Sequence, residues 1–80
     1  MRVVLYSREG CHLCDAARDV LMAELSRSPF DLVEVDVAGD DDLEREYGIR
    51  IPVVEIDGEE RFEYEVDPAE LVSIVRSGRA

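Results

Sequence analysis

This 80-residue chain contains no lysine; its fixed cations are nine arginines, set against twenty aspartates and glutamates for a formal charge of −11. A surface of that sign repels phosphate backbones and anionic lipid, which excludes nucleic acid and membrane as default partners. Long apolar runs are also missing. Nothing approaches the ~20 consecutive apolar residues that cross a bilayer, and the short apolar run after Met1-Arg2 cannot serve as a signal-peptide core. Cysteine is scarce: Cys11 and Cys14 are the only two. A bond between them closes a loop of a few residues and restrains the unfolded chain little, so the pair is not a structural staple. With neither a targeting segment nor a disulfide framework, the expected compartment is a reducing cytoplasm.

What is present suits one small folded unit. Hydrophobic residues make up 46 % of the chain, and a domain of this length buries roughly 60 % of its unfolded surface. Residues 1–80 are therefore expected to form a single domain, and a monomer is the expected state. The most informative segment is Cys11-His12-Leu13-Cys14. Arg2-Val3-Val4-Leu5-Tyr6 before it is rich in β-formers, and the residues after it repeat apolar side chains at helical spacing. A C-x-x-C between strand and helix puts its first sulfur at the positive end of a helix dipole, where a thiolate is favoured. Thiol–disulfide chemistry requires such a thiolate.

The rest of the chain reads as alternating elements. A helix is expected from about Cys11 to Arg27, with Leu13, Ala16, Ala17, Val20, Leu21 and Leu25 on its apolar face, and Ser28-Pro29 ends it. Phe30 to Asp36 reads as a second strand. Asp40-Asp41-Asp42 suits a helix N-cap and first turn better than an ion site, because the spaced ligands of a calcium loop are missing. Leu43 to Tyr47 is then a short helix stopped by Gly48. Pro52 to Ile56 and Arg61 to Val66 flank Asp57-Gly58, a strong hairpin signal. Asp67-Pro68 opens a last helix through Val75, and Ser77-Gly78-Arg79-Ala80 reads as a polar tail. The order β-α-β-α-β-β-α demands a parallel pair with a right-handed crossover at the front and an antiparallel hairpin behind. The fold class is α/β, a mixed four-stranded sheet flanked by helices.

These residues carry a family likeness that spans nearly the whole chain. The segment from Val4 through Cys14 resembles the start of glutaredoxins, where a strand and a basic residue precede C-x-x-C. Gly48-Ile49-Arg50-Ile51-Pro52 resembles the segment before the cis-proline of thioredoxin-fold proteins, and Asp57-Gly58 resembles the hairpin turn that follows. The best match is the small glutaredoxin-like group with a C-x-L-C centre. The resemblance implies a thioredoxin-like, glutaredoxin-type fold and a dithiol thiol–disulfide oxidoreductase active in cell redox homeostasis. Cys11 is then the attacking thiol and Cys14 the resolving one. Arg8 takes the place of the basic residue near the nucleophile. Pro52 is the loop proline in cis linkage, and the backbone of Ile51 pairs with the substrate. His12 is a candidate for tuning the Cys11 thiol when protonated.

The resemblance implies no bound organic cofactor and no metal. The partners it implies are a protein or low-molecular-weight disulfide, with glutathione or a thioredoxin-reductase-like donor as reductant. The sequence departs from glutaredoxins where a Gly-Gly pair and an acidic residue hold glutathione: Tyr64-Glu65-Val66-Asp67 stands there instead. Arg8 and Arg50 are then the guanidinium forks left to receive a substrate carboxylate. Two other readings stay open at this point. Cys11 and Cys14 can supply half of a zinc or iron–sulfur site completed by a dimer or an outside thiol, or the fold can serve as a redox-inert interaction domain.

Overall fold

The structure, a computed structural model, describes residues 1–77. Its elements run β1 (Arg2–Ser7), α1 (His12–Leu25), β2 (Asp31–Asp36), α2 (Asp41–Tyr47), β3 (Val53–Ile56), β4 (Glu59–Glu63) and α3 (Pro68–Ser77). The strands lie in the order β2-β1-β3-β4. β1 pairs parallel with β2 and antiparallel with β3, and β3 pairs antiparallel with β4. The parallel pair forces the chain to cross over through α1, while β3 and β4 join through a two-residue turn. Asp57 and Gly58 there both take positive φ, 51° and 84°, the backbone of a hairpin turn whose twist matches the strands.

Alternation along β1 assigns the two faces of the sheet. Val3 and Leu5 point into a core shared with Ala17 and Leu21 of α1, Val54, Ile56 and Phe62 of the hairpin, and Leu71 and Val75 of α3. Each fully buried Leu or Val contributes ~1.5–3 kcal/mol over its exposed state. Tyr6 points the other way and stacks on Tyr47 at the end of α2, ring centroids 3.9 Å apart. Helices α1 and α3 therefore cover one face, and α2 covers the other. Burial raises the hydroxyl pKa of both tyrosines, and each donates to a different oxygen of Glu55.

Several boundaries differ from the sequence reading. α1 ends at Leu25, before Arg27, because the N–H groups of Arg27 and Ser28 both turn back to the Glu24 carbonyl. α2 begins at Asp41, since Asp40 caps it by accepting from the N–H groups of Asp42 and Leu43 at 3.0 and 3.1 Å. β4 occupies Glu59–Glu63, whereas Arg61 to Val66 was expected. A tight turn obliges pairing to start at once, even with two glutamates of low strand preference. The strand stops at Tyr64, whose φ of 67° leaves the extended region. Arg61 bulges between the Val54–Phe62 and Glu55–Glu60 pairs. The buried stripe of α1 is Cys14, Ala17, Leu21 and Glu24; Leu13 and Ala16, expected on that face, are exposed. Of the expected polar tail, Ser77 closes α3 and residues 78–80 lie outside the described residues.

Candidate functional site

β1 delivers the chain to the C-terminal end of the central strand, and Gly10 turns it into α1 with φ 80°, a conformation that a Cβ-bearing residue adopts only under strain. Cys11 is the N-cap of α1, extended at φ −96°, ψ 110°. Its Sγ accepts the Cys14 N–H at 3.1 Å, so the sulfur sits where a helix leaves its first amides unpaired. Cys11 and Cys14 are joined by a disulfide, Cα atoms 5.2 Å apart. The two sulfurs differ in access. Cys14 is fully buried, the first member of the α1 stripe, while Cys11 is partly exposed.

Sheet register brings a second segment to the same end. β1 and β3 run antiparallel with Tyr6 opposite Val53, so the residues just before β3 lie beside those just after β1. The Ile51–Pro52 peptide there is cis, as the resemblance implies. The Ile51 backbone enters no hydrogen bond among the described residues. Tyr64 closes this end from the hairpin side. Its N–H donates to the Pro52 carbonyl at 2.8 Å, and its hydroxyl to the Ile49 carbonyl at 3.3 Å. Leu13, Ile49 and Tyr64 are large apolar residues left exposed. Leu13 and Tyr64 border a hollow of about 280 Å³ between α1 and the chain leading to α3.

The arginines expected to meet substrate carboxylates are engaged within the chain. Arg8 is ion-paired to Glu44 of α2. Arg50 holds Glu60 and Glu63 of β4 at 2.9 and 3.2 Å and lies over the Tyr47 ring, 5.6 Å from its centroid. Arg50 keeps the Glu60 carboxyl below the usual range. Arg18, one turn past Cys14, bridges Asp15 at 2.8 Å and Glu34 at 2.5 Å. The Arg18 hydrogen bond, outweighing burial and helped by the Ser7 hydroxyl, depresses the Glu34 pKa. His12 is exposed and makes no polar contact among the described residues. Among those residues, no three His, Cys, Asp or Glu side chains gather as a metal site would require.

Sequence reasoning overlooked Glu24 and the posture of Tyr64. Glu24 continues the buried spacing 14, 17, 21, and that period was the available signal. Nothing in the sequence marks Tyr64 as left-handed, because the residue type that signals such a backbone, glycine, is absent there.

A strand, a C-x-x-C helix start and a cis-proline loop on one end of a four-stranded mixed sheet define a thioredoxin-like fold. Within that class the chain belongs to the family described as the glutaredoxin-like domain (DUF836), whose model matches residues 2–76. A protein of Mycobacterium tuberculosis described as uncharacterized is 37 % identical over 82 residues, covering 95 % of this chain and 84 % of that protein. Among solved structures, a Nitrosomonas europaea protein shares 30 % identity over 92 % of this chain and 89 % of its own, with a TM-score of 0.77. A structural-genomics target from X. campestris shares 29 % over 94 % and 96 %, with a TM-score of 0.76. Thioredoxin 1 of Thermosipho africanus superposes with a TM-score of 0.71 at 14 % identity, covering 98 % of this chain and 93 % of its own, which is a likeness of fold. No described helix is long and apolar enough to cross a membrane.

Proposed function

We propose that this protein is a dithiol thiol–disulfide oxidoreductase in which Cys11 attacks and Cys14 resolves. The observation that carries the reading is the asymmetry of the bonded pair: Cys11 caps the helix and reaches solvent, while Cys14 is buried beneath it. In the reduced protein the helix amides and the Cys14 N–H favour a thiolate at Cys11. That thiolate attacks one sulfur of a substrate disulfide, and the other leaves as a thiolate. Cys14 then loses its proton and attacks Cys11 Sγ, forming the Cys11–Cys14 bond and releasing the second substrate thiol. Two electrons pass to the substrate, and an external thiol or dithiol donor must return them. A reducing compartment such as the cytoplasm supplies such donors.

Three features favour a protein disulfide in an extended segment over glutathione. The free Ile51 backbone offers a donor and an acceptor for strand-like pairing. The guanidiniums of Arg8 and Arg50 are taken up by Glu44, Glu60 and Glu63, leaving neither for the carboxylates of an anionic tripeptide. Tyr64 and the exposed Glu65 stand where glutaredoxins keep Gly-Gly, adding bulk and negative charge. Leu13, between the two cysteines in sequence, and Ile49, three residues before Pro52, are exposed apolar side chains for such a segment to cover.

The test is disulfide reduction by the reduced protein, with a protein disulfide and glutathione disulfide as alternative oxidants. Turnover of the protein disulfide should exceed that of glutathione disulfide. Cys14→Ser should accumulate a mixed disulfide through Cys11. Ordinary alkylation behaviour at Cys11 with no reduction of either disulfide would overturn the reading.

A further inference from the structure

The face of α1 that sequence spacing marks as apolar is only half used by the fold. Ala17 and Leu21 are buried, but Leu13 and Ala16 are exposed. With Val20 they line the hollow of about 280 Å³ between α1 and the chain leading to α3. Tyr64 and Pro68 wall its other side, and among the described residues Glu65 is the one charged side chain lining it. Roughly 150 Å³ of apolar space holds a benzene-sized group, so the hollow admits a leucine or phenylalanine side chain. Glu65 is exposed and makes no ion pair among the described residues. An unpaired acid at the rim of a chain charged −11 favours a basic segment over an acidic one.

The hollow is continuous with the sulfur site. Leu13 lies between the two cysteines in sequence. Tyr64 donates through its N–H to the Pro52 carbonyl and through its hydroxyl to the Ile49 carbonyl, at 2.8 and 3.3 Å. These bonds bracket Ile51, whose backbone enters no hydrogen bond among the described residues. Tyr64 itself is held at φ 67°, a left-handed backbone that strains a residue carrying a Cβ. Such strain persists where surrounding contacts over-determine it, and it gathers at ligand-binding segments. The ring so placed is 47 % exposed and joins the hollow to the cis-proline loop.

Resting on the exchange reading above, we propose that this hollow is a substrate subsite. It takes a bulky apolar side chain flanking the disulfide of a basic polypeptide segment, with Tyr64 as its specificity-determining wall. The probes are disulfide-linked dimers of a short peptide with lysine ends and either leucine or glycine on both sides of its cysteine. Each rate is divided by that of dithiothreitol on the same peptide. The reduced full chain should show kcat/KM about tenfold higher for the leucine peptide, the worth of one partly buried side chain, carried by KM. Exchanging the lysine ends for glutamate should raise KM several-fold. Tyr64→Gly removes the wall, keeps the N–H and suits the left-handed backbone, and it should lose the leucine preference. Tyr64→Phe keeps the wall and should keep the preference. Ala16→Phe fills the hollow from the helix side, so it should lose the preference too, and it carries the test should Tyr64→Gly fail to fold. Reduction of neither peptide by the wild type would overturn the exchange reading and the subsite with it. Reduction of both without a leucine preference, a preference unchanged in folded Tyr64→Gly or Ala16→Phe, or equal KM for lysine and glutamate ends would overturn the subsite alone.

Discussion

The two ends of α1 treat buried polar atoms in opposite ways. At the N-terminus both sulfurs have a partner: Cys11 Sγ accepts the Cys14 N–H and is bonded to Cys14 Sγ, which fills a fully buried position. Three turns on, the same stripe ends in Glu24, whose carboxyl is about as buried as Cys14 and accepts no hydrogen bond among the described residues. One helix face therefore carries a bonded cysteine pair, two apolar residues that fasten it to the sheet, and an acid that accepts no hydrogen bond among the described residues. Polar groups left without a hydrogen bond in a core weaken a fold, so the first end holds its polar atoms at no such cost, while the second carries a cost met only by the Arg27 ion pair at 3.6 Å.

The comparison breaks most completely at the sulfurs. Cys11→Ser should reduce disulfide exchange to the uncatalysed background with little loss of fold, because the short Cys11–Cys14 loop adds little stability; steady-state reduction of a protein disulfide together with thermal unfolding checks both halves. The next largest effect belongs to the residue between the two ends. Leu21 is fully buried, and Leu21→Ala should cost about 2–5 kcal/mol, measured by denaturant unfolding. That loss should fall on both ends alike, since Leu21 seats the whole helix.

At the acid the sign reverses. Glu24→Met exchanges a buried carboxyl that accepts no hydrogen bond among the described residues, with only the exposed Arg27 at 3.6 Å, for an apolar side chain of similar length. It should stabilise the protein by about 1 kcal/mol or more, which for a domain of this size raises Tm by ~4–8 °C. Disulfide exchange should be unchanged. A drop in Tm would mean that Glu24 is satisfied in solution and that the contrast between the two helix ends is false.

How much of this was legible in advance follows from the range over which each signal acts. The hairpin was fixed by Asp57-Gly58, two adjacent residues, and the helix start by the Cys11-to-Cys14 segment lying next to a β-rich run. Local chemistry suffices for both. The pairing of Arg8 with Glu44 joins residues 36 apart in sequence, and no local pattern distinguishes it from an arginine free to meet substrate. Glu24 was hidden for a different reason. A charged residue on a helix is ordinarily assigned to solvent, so the expected apolar face holds Ala17 and Leu21, which are buried, together with Leu13 and Ala16, which are exposed, and leaves out Glu24, which the fold buries. β4 was displaced because Glu59 and Glu60 are poor strand formers that the turn nonetheless forces into the ladder.

The smallest effect concerns the charge network beside the sulfurs. Arg18 holds Glu34 below its ordinary carboxylate range in the folded protein, so the folded state binds that proton less readily than the unfolded chain. Stability from this pair is therefore complete above the unfolded glutamate pKa and is lost as pH falls through the lower folded value. Both side chains are about a third exposed, and solvent screening leaves the pair worth about 0.5 kcal/mol. Glu34→Gln should remove that increment at pH 7 and flatten the acid limb of the stability curve, read from urea unfolding between about pH 3 and pH 7. Added salt should shrink the difference between wild type and variant. At the other end of α1 the same salt should leave the Glu24→Met difference nearly intact, since a buried carboxyl is screened far less. If both differences collapsed together in salt, Glu24 would be behaving as a surface charge and the two helix ends would not differ in kind.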